Sequence, residues 1–300
     1  MKVFVTGATG FIGLAVAKEL IGAGHKVIGL TRSEAGAKAL AAAGAEVHRG
    51  HLEDRESLRS GAAMADGVIH CAFIHDWSNF KKSCEVDQQA IEVLGAALAG
   101  TQRPLLVSAG IGPLAPGRLA TEDDNPRSDS ALPRVSEQAA MALLSQGVNV
   151  GVVRLPQVHD PVKQGLITPL VALSRGKGVS AYVGDGRNRW AAAHISDTAR
   201  LYRLAIEKHE AGAKYHAVGE EGVSQRDIAE VVGRGLKVPV VSLSAEEAPA
   251  HFGWFAMFTT LDMPASSAIT QKKLGWRPTG PGLIADLERM DYSAKAAGQS

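Results

Sequence analysis

The chain opens with MKVFVTGATGFIGL, a short run of β-branched and aromatic residues that passes straight into Thr6-Gly7-Ala8-Thr9-Gly10-Phe11-Ile12-Gly13. An apolar strand, a glycine-rich turn and an amphipathic helix (Ile12, Val16, Ala17, Leu20, Ile21) form the arrangement that holds a dinucleotide pyrophosphate. Gly7 permits the tight turn, Gly10 lets the backbone approach the phosphates, and Gly13 lets the helix pack closely on the strand. The helix N-terminus then offers unpaired N–H groups and the positive end of its dipole to an anion.

The alternation continues along the chain. Lys26–Leu30 reads as a second strand after the turn Gly22-Ala-Gly-His25, and Ala45–His48 as a third. Gly67–Cys71, Pro104–Ser108 and Val148–Val153 supply a fourth, a fifth and a sixth. Helices are predicted between them over 34–43, 54–61, 83–98 and 135–146. Short apolar strands separated by helices of this length imply right-handed crossovers and a parallel sheet covered on both faces. The ligand of such a sheet sits at the carboxyl ends of its strands, at the switch point.

A chain of 300 residues buries one large core or two smaller ones. Its net charge of +1, with no Lys/Arg cluster, gives no electrostatic case for nucleic acid or an anionic membrane. No apolar run approaches the roughly 18 residues of a membrane span, so neither a transmembrane helix nor a signal peptide is expected and the default location is cytoplasmic. Cys71 and Cys84 are too few for a disulfide framework or a structural zinc site. No histidine pair stands at ligand spacing on one predicted helix, so no metal is expected.

After Arg154-Leu-Pro156 the pattern turns irregular, with many Gly and Pro over 157–188 and a helix predicted over 166–175. A strand at Trp190–Ala193 and a helix over 197–208 read as a return to the sheet. Tyr215–Val218 is a further strand, and Ser224 with Asp227 three residues on is a capping-box spacing. The segments 275–278 and 283–290 close a small C-terminal lobe. The fold class is therefore α/β: a Rossmann doubly wound parallel sheet with a smaller C-terminal substrate lobe. Residues 1–155 and 190–218 are expected to form the dinucleotide-binding domain, and 156–189 and 219–300 the lobe, with a cleft between them.

Over nearly its whole length the chain resembles the extended short-chain dehydrogenase/reductases, the NAD(P)-dependent epimerase/dehydratase-like branch. Thr6–Gly13 is similar to that family's glycine motif. Gly50-His-Leu-Glu-Asp54 resembles its Gly-Asp-Leu-x-Asp segment, with His51 in place of the adenine-contacting Asp. Val68-Ile-His-Cys-Ala72 resembles the strand end that passes near the cofactor. Tyr182–Gly186 followed by His194–Asp197 resembles the return from the substrate lobe, and Leu274–Pro278 the C-terminal signature. The resemblance implies cofactor contacts from Gly7, Thr9, Gly10, Phe11, Ile12, Gly13, His51, Leu52, Cys71 and Ala72.

Cofactor preference is read at the end of the second strand. An acidic residue there would accept both ribose hydroxyls and favour NAD. This chain has Thr31-Arg32-Ser33 instead. A guanidinium beside hydroxyls suits a 2′-phosphate, so Arg32 and Ser33 point to NADP(H). The plain alternative is a solvated Arg at a helix start.

Redox members of the resembling family carry a Ser, a Tyr-x-x-x-Lys pair and often an Asn. Here the helix that should begin with the pair reads Pro133-Arg-Val-Ser-Glu137, so both positions are lost. No tyrosine occurs between Met1 and Ala181, and Asp87 takes the Asn position. Only Ser108, ending the fifth strand, remains to orient a substrate oxygen. Two explanations stay open. In one, another side chain supplies the proton: His75 with Asp76 follows the fourth strand at the cofactor edge, and histidine suits the task by its near-neutral pKa. A surface His beside an Asp is the plain alternative. His159 and Lys163 are weaker candidates, His194 is assigned to the neck between lobes, and Cys71 reads as a packed thiol. In the other, the protein binds NADP(H) without turnover, as a sensor or regulatory protein.

The expected activity is an NADP(H)-dependent oxidoreductase acting on a small carbonyl or alcohol compound, with Ser108, His75 and Asp76 at the chemistry. The loop 111–133 is long enough to cover the cleft. Apolar stripes on 83–98 (Val86, Ala90, Val93, Leu94, Ala97) and 135–146 (Val135, Ala139, Ala142, Leu143) are those that pair across a two-fold axis in the resembling family. A homodimer follows if they do so here. Otherwise the stripes face their own sheet.

Overall fold

The computed structural model describes residues 1–126 and 134–293. Along the chain the strands are β1 (Lys2–Thr6), β2 (Lys26–Thr31), β3 (Glu46–Arg49), β4 (Gly67–His70), β5 (Leu105–Gly110), β6 (Val150–Leu155), β7 (Gln157–His159), β8 (Ser180–Val183), β9 (Arg189–His194), β10 (Lys214–His216), β11 (Glu220–Ser224) and β12 (Val240–Leu243). The helices that matter below are α1 (Phe11–Gly22), α2 (Glu34–Ala42), α3 (Arg55–Ala63), α4 (Phe80–Leu98), α5 (Ser136–Ala142), α6 (Ile167–Lys177), α7 (Ile195–Glu207) and α8 (Gln225–Leu236).

Among the described residues the central sheet has seven strands in the order β10-β6-β5-β4-β1-β2-β3, all pairs parallel. The two-residue side-chain period explains why these strands are apolar throughout. In β1, Val3 and Val5 face the core under α1 and α7, while Phe4 faces the opposite core under α3 and α4. Leu106 and its neighbours Leu105 and Val107 divide between the two cores in the same way. The order reverses between β4 and β1, so the carboxyl ends of these two strands open the crevice where a ligand of such a sheet binds.

The predicted return of Trp190–Ala193 to this sheet is made one element later. β9 pairs instead with β7 and β11 in a three-stranded sheet, and β10 completes the large sheet beside β6. An Ala-rich strand buried on both faces satisfies either sheet, so its apolar run carried no choice between them. β8 and β12 pair in parallel, and α6, α8 and the segment 248–263 close a separate apolar core around Trp190 and Phe255.

The apolar stripes that suggest a dimer are partly covered within the chain, with Ala142 left exposed. Ala90 and Leu94 share a core with Leu105 and Val107, Val93, Ala97 and Ala139 pack at its margin, and Val86 is buried as well. The predicted helix 135–146 is shorter than expected: α5 tightens into a 3-10 turn at Leu143–Gln146 and ends at Gly147, whose φ is +73°. The described part of the loop 111–133 is tied down by Ala120, which bridges to Ala265, and by Glu122, whose carboxylate accepts from Thr270; its remainder, with Pro133, lies outside the described residues. No helix among the described residues is long and apolar enough to cross a membrane.

Candidate functional site

The turn between β1 and α1 is built by exclusion of side chains. Gly7 holds φ at +66°, and a Cβ there would stand 2.7 Å from the backbone N and Cα of Ala72. A Cβ on Gly13 would fall 2.1 Å from the Gly7 carbonyl oxygen, and one on Gly10 3.2 Å from it. Gly10 caps α1 with extended backbone and no side-chain acceptor, and no acidic residue occupies the first turn. The first N–H groups of α1 thus face the crevice without competition from a carboxylate. These residues fit a dinucleotide pyrophosphate. Thr9, Phe11 and Ile12 complete the turn, Ile12 with its side chain against the core.

The other predicted cofactor residues come to the same edge, from the carboxyl ends of β4, β2 and β3. Arg32 is exposed and forms no ion pair among the described residues. The Ser33 hydroxyl accepts from Gly36 N at 3.0 Å and so caps α2. Arg49, opposite Thr31 in the β2–β3 register, donates to the Ser33 carbonyl at 2.9 Å and pairs with Glu34. Sequence reasoning missed it, since its closeness to Arg32 arises from strand pairing. His51 is exposed, Leu52 leans on the core, and Asp54 caps α3.

A buried polar chain runs behind this edge. Thr6 Oγ1 stands 2.8 Å from His70 Nδ1, and His70 Nε2 stands 3.2 Å from Asp87 Oδ1. Ser136 donates to Asp87 Oδ2 at 2.5 Å, and Arg134 Nε donates to Ser136 Oγ at 2.9 Å. One proton arrangement satisfies every link: Thr6 donates to Nδ1, His70 donates from Nε2, and the Asp87 carboxylate accepts from both sides. Burial pushes Asp87 up, but the hydrogen bond from His70, with Arg134 and Ser136, brings it below the usual carboxylate range.

This chain fixes Arg134 at the mouth of the crevice. Its guanidinium lies 4.1 Å over the Phe73 ring, and Nη2 donates to the Ser108 carbonyl at 3.3 Å. Nothing in the local sequence marked Arg134, because its neighbours Phe73 and Ser108 are brought to it by the sheet.

The predicted catalytic residues are rearranged. Ser108 Oγ donates to the His70 carbonyl at 2.7 Å and stands 2.6 Å from the Tyr202 hydroxyl, both buried. Its one proton is used inside the protein, so the hydroxyl expected to orient a substrate supports the β4–β5 edge. Tyr202, from α7, also went unpredicted; burial and the neighbouring Cys71 hold its hydroxyl well above the ordinary tyrosine range. Cys71 is a neutral thiol pushed up to about 12 by burial, as a packed cysteine should be.

The His75–Asp76 relay is not assembled. Asp76 accepts from Ser78 N at 3.0 Å and Ser78 Oγ at 2.6 Å, capping the turn Trp77–Asn79, and no hydrogen bond joins it to His75. An Asp followed two residues on by Ser has this nearer partner, which the pairing with His75 overlooked. His75 packs edge-on to Phe73 at 5.1 Å. Desolvation in the crevice, together with the charges of Arg134 and Lys163, lowers it to about 4 and keeps it neutral.

Glu137, at the position where the resembling family places Lys, forms a buried ion pair with Arg154 of β6 at 2.6 Å. Arg154 is fully enclosed and also donates to His216 Nε2 and to the carbonyls of Glu122 and Asp124. His159 is enclosed as well, its Nδ1 2.7 Å from Asp286, while His194 bonds to Ser196 at 2.7 Å. Both join the small sheet to the C-terminal segment and lie apart from the crevice chemistry. Lys163 is the exception among the weaker candidates, with its Nζ 5.8 Å from the Phe11 ring.

Residues 3–110, which hold the glycine turn and β1 to β5, match the profile described as the NAD dependent epimerase/dehydratase family. An uncharacterized protein of Schizosaccharomyces pombe is 44% identical over 97% of this chain and 100% of its own length. The chain belongs to the NAD dependent epimerase/dehydratase family. A second relative, 28% identical over 88% of this chain and 84% of its own, is a 4-hydroxy-2-methyl-3-oxo-4-farnesyl-3,4-dihydroquinoline-1-oxide ketoreductase of Stigmatella aurantiaca. The fold is shared with the Thermus thermophilus UDP-glucose 4-epimerase solved with NAD, at a TM-score of 0.76 and 19% identity, covering 98% of this chain and 99% of that one. Within the family fold, this chain has a buried Glu137–Arg154 pair and a crevice-facing Arg134 where the Tyr-x-x-x-Lys helix was sought.

Proposed function

We propose that the protein is an NADP(H)-dependent oxidoreductase that interconverts a small carbonyl compound and the corresponding alcohol. The observation that carries the nucleotide half is the glycine turn of β1–α1, whose geometry admits backbone only, with Arg32 free at the end of β2 where an acidic residue would select NAD. Ser33 and Arg49 stand beside Arg32 and support a 2′-phosphate there. When bound, the nicotinamide supplies or takes up a hydride. The chain's own polar groups open to the reacting edge are His75, Arg134 and Lys163; Ser108 and Asp76 act in support. The ketoreductase activity named for the Stigmatella relative agrees in reaction class. In this reading the Rossmann part is 1–155 with 195–218, and the substrate lobe is the rest, β9 included.

A second reading, nucleotide binding without turnover, is favoured by one observation: the Ser108 hydroxyl is saturated and both members of the Tyr-Lys pair are absent. Nicotinamide absorbance decides between them. NADPH consumption with aromatic and aliphatic ketones, dependent on enzyme and lost in the Gly13→Val variant, supports the first reading. Tight NADPH binding with no consumption across ketones, aldehydes and keto acids supports the second.

A further inference from the structure

Arg134 is held in one place by four features that owe nothing to a ligand. Nε is bonded to Ser136, Nη2 to the Ser108 carbonyl, the guanidinium face lies on Phe73, and Ser136 is itself locked by Asp87. What the described residues do not give it is a direct ion pair. Among the described residues no carboxylate lies within 4.0 Å of Arg134; the buried Asp87 acts on its charge from behind Ser136 and is itself bonded to His70 and Ser136. Nη1 has no acceptor among those residues. A desolvated cation with no direct ion pair is costly, and such a group persists where a ligand supplies a carboxylate at its open edge.

The surroundings repeat the pattern. Lys163, the second cation facing His75, forms no ion pair among the described residues, and the nearby Asp160 turns its carboxylate onto the N–H groups of Val162 and Lys163 itself. His75, between the two cations, is neutral and adds no negative charge.

From Phe73 an aromatic wall leads away from Arg134. Phe80 is 5.8 Å from Phe73 by ring centroids, Trp77 stacks on Phe80 at 4.9 Å, and Trp254 stacks on Trp77 at 4.6 Å. Trp254 is 42% exposed, an unusual place for so large an apolar ring. The wall joins the β4–α4 loop to the segment 248–259, two pieces of chain about 180 positions apart that have no reason in local sequence to meet.

Resting on the oxidoreductase reading above, we infer that the substrate is a carbonyl or alcohol compound with a flat apolar body and a carboxylate, the carboxylate gripped by Arg134 and the body laid along Phe73, Trp77 and Trp254. A guanidinium with a free fork edge takes a carboxylate with charge-assisted bonds, and ring faces take a planar hydrocarbon. A nucleotide sugar, with its polar body, does not fit this wall.

Calorimetric titration with 2-naphthoate and its neutral analogue 2-naphthalenemethanol tests the assignment, with and without saturating NADP+. The wild type should bind naphthoate more tightly than the alcohol by about 10- to 150-fold, the worth of a charged hydrogen bond. Arg134→Gln should erase that difference and leave the alcohol unchanged; Arg134→Lys should keep part of it. Trp254→Ala, at an exposed position, should weaken both probes by about 2- to 12-fold. Equal binding of the two probes by the wild type, equal naphthoate affinity in wild type and Arg134→Gln, or a preference for UDP-glucose over naphthoate would each overturn the inference. If Arg134→Gln does not fold, the wild-type comparison and Arg134→Lys carry the decision. NADPH titration of the same samples separates the two proposals: wild type that binds naphthoate but no NADPH contradicts the nucleotide reading, and the converse contradicts this one.

Discussion

At the scale of residues, the most instructive position is Glu137. A resemblance in sequence places a catalytic lysine here, and the chain places an acid that neutralises the enclosed Arg154. Removing one partner of a buried ion pair leaves the other charge without compensation and typically costs about 3–5 kcal/mol. Glu137→Gln should therefore lower the unfolding free energy by roughly that amount in urea titrations. Glu137→Lys, which rebuilds the family residue, should be worse still, because it sets a cation against Arg154. A Glu137→Gln protein as stable as the wild type would mean that the pair is not a structural tie. The same residue shows why the site was only half legible. The loss of Tyr and Lys could be read from Pro133-Arg-Val-Ser-Glu137, but Arg154 lies on β6, and its pairing with Glu137 depends on how α5 packs against that strand.

At the scale of elements, β1 and the α1 turn were legible because a parallel strand buried on two faces and a side-chain-free turn each leave a mark in consecutive residues. α4 was legible as a helix, though its buried stripe meets the chain's own sheet. Leu94 is fully enclosed there, so Leu94→Ala should cost about 2–5 kcal/mol with the chain's oligomeric state unchanged, checked by urea unfolding with light scattering. A change in assembly on this substitution would show that the stripe serves an interface. The allegiance of β9 was not legible, nor was the role of α7, which brings Tyr202 to Ser108 across 94 positions of sequence. Contacts of that range depend on which strands are neighbours, and periodicity does not encode it.

At the scale of the whole molecule, desolvation lowers several histidines. His75 and His209 are each lowered to about 4 by burial, and His159 and His216 are lowered for the same first reason. An unfolded histidine titrates near about 6.5, so the unfolded chain binds more protons than the folded one below that pH. Stability should be level above pH of about 6.5 and fall steadily toward pH 4, before the carboxylates begin to contribute. Both ring nitrogens of His209 are buried and desolvation lowers it, so His209→Leu should shallow the slope of Tm against pH in that window. A Tm that rises on acidification from pH 7 to 5 would contradict this.

The central claim, that the crevice is built for NADP(H), is tested most directly by titrating NADPH and NADH into the wild type and Arg32→Ala and following nicotinamide fluorescence. Arg32 is exposed at the end of β2, so its removal leaves the core untouched. The wild type should prefer NADPH, and the substitution should weaken NADPH by about 10- to 150-fold, nearer the lower value for a solvated phosphate, while NADH binding barely moves. Equal wild-type affinities, or equal losses of both nucleotides on substitution, would contradict the account.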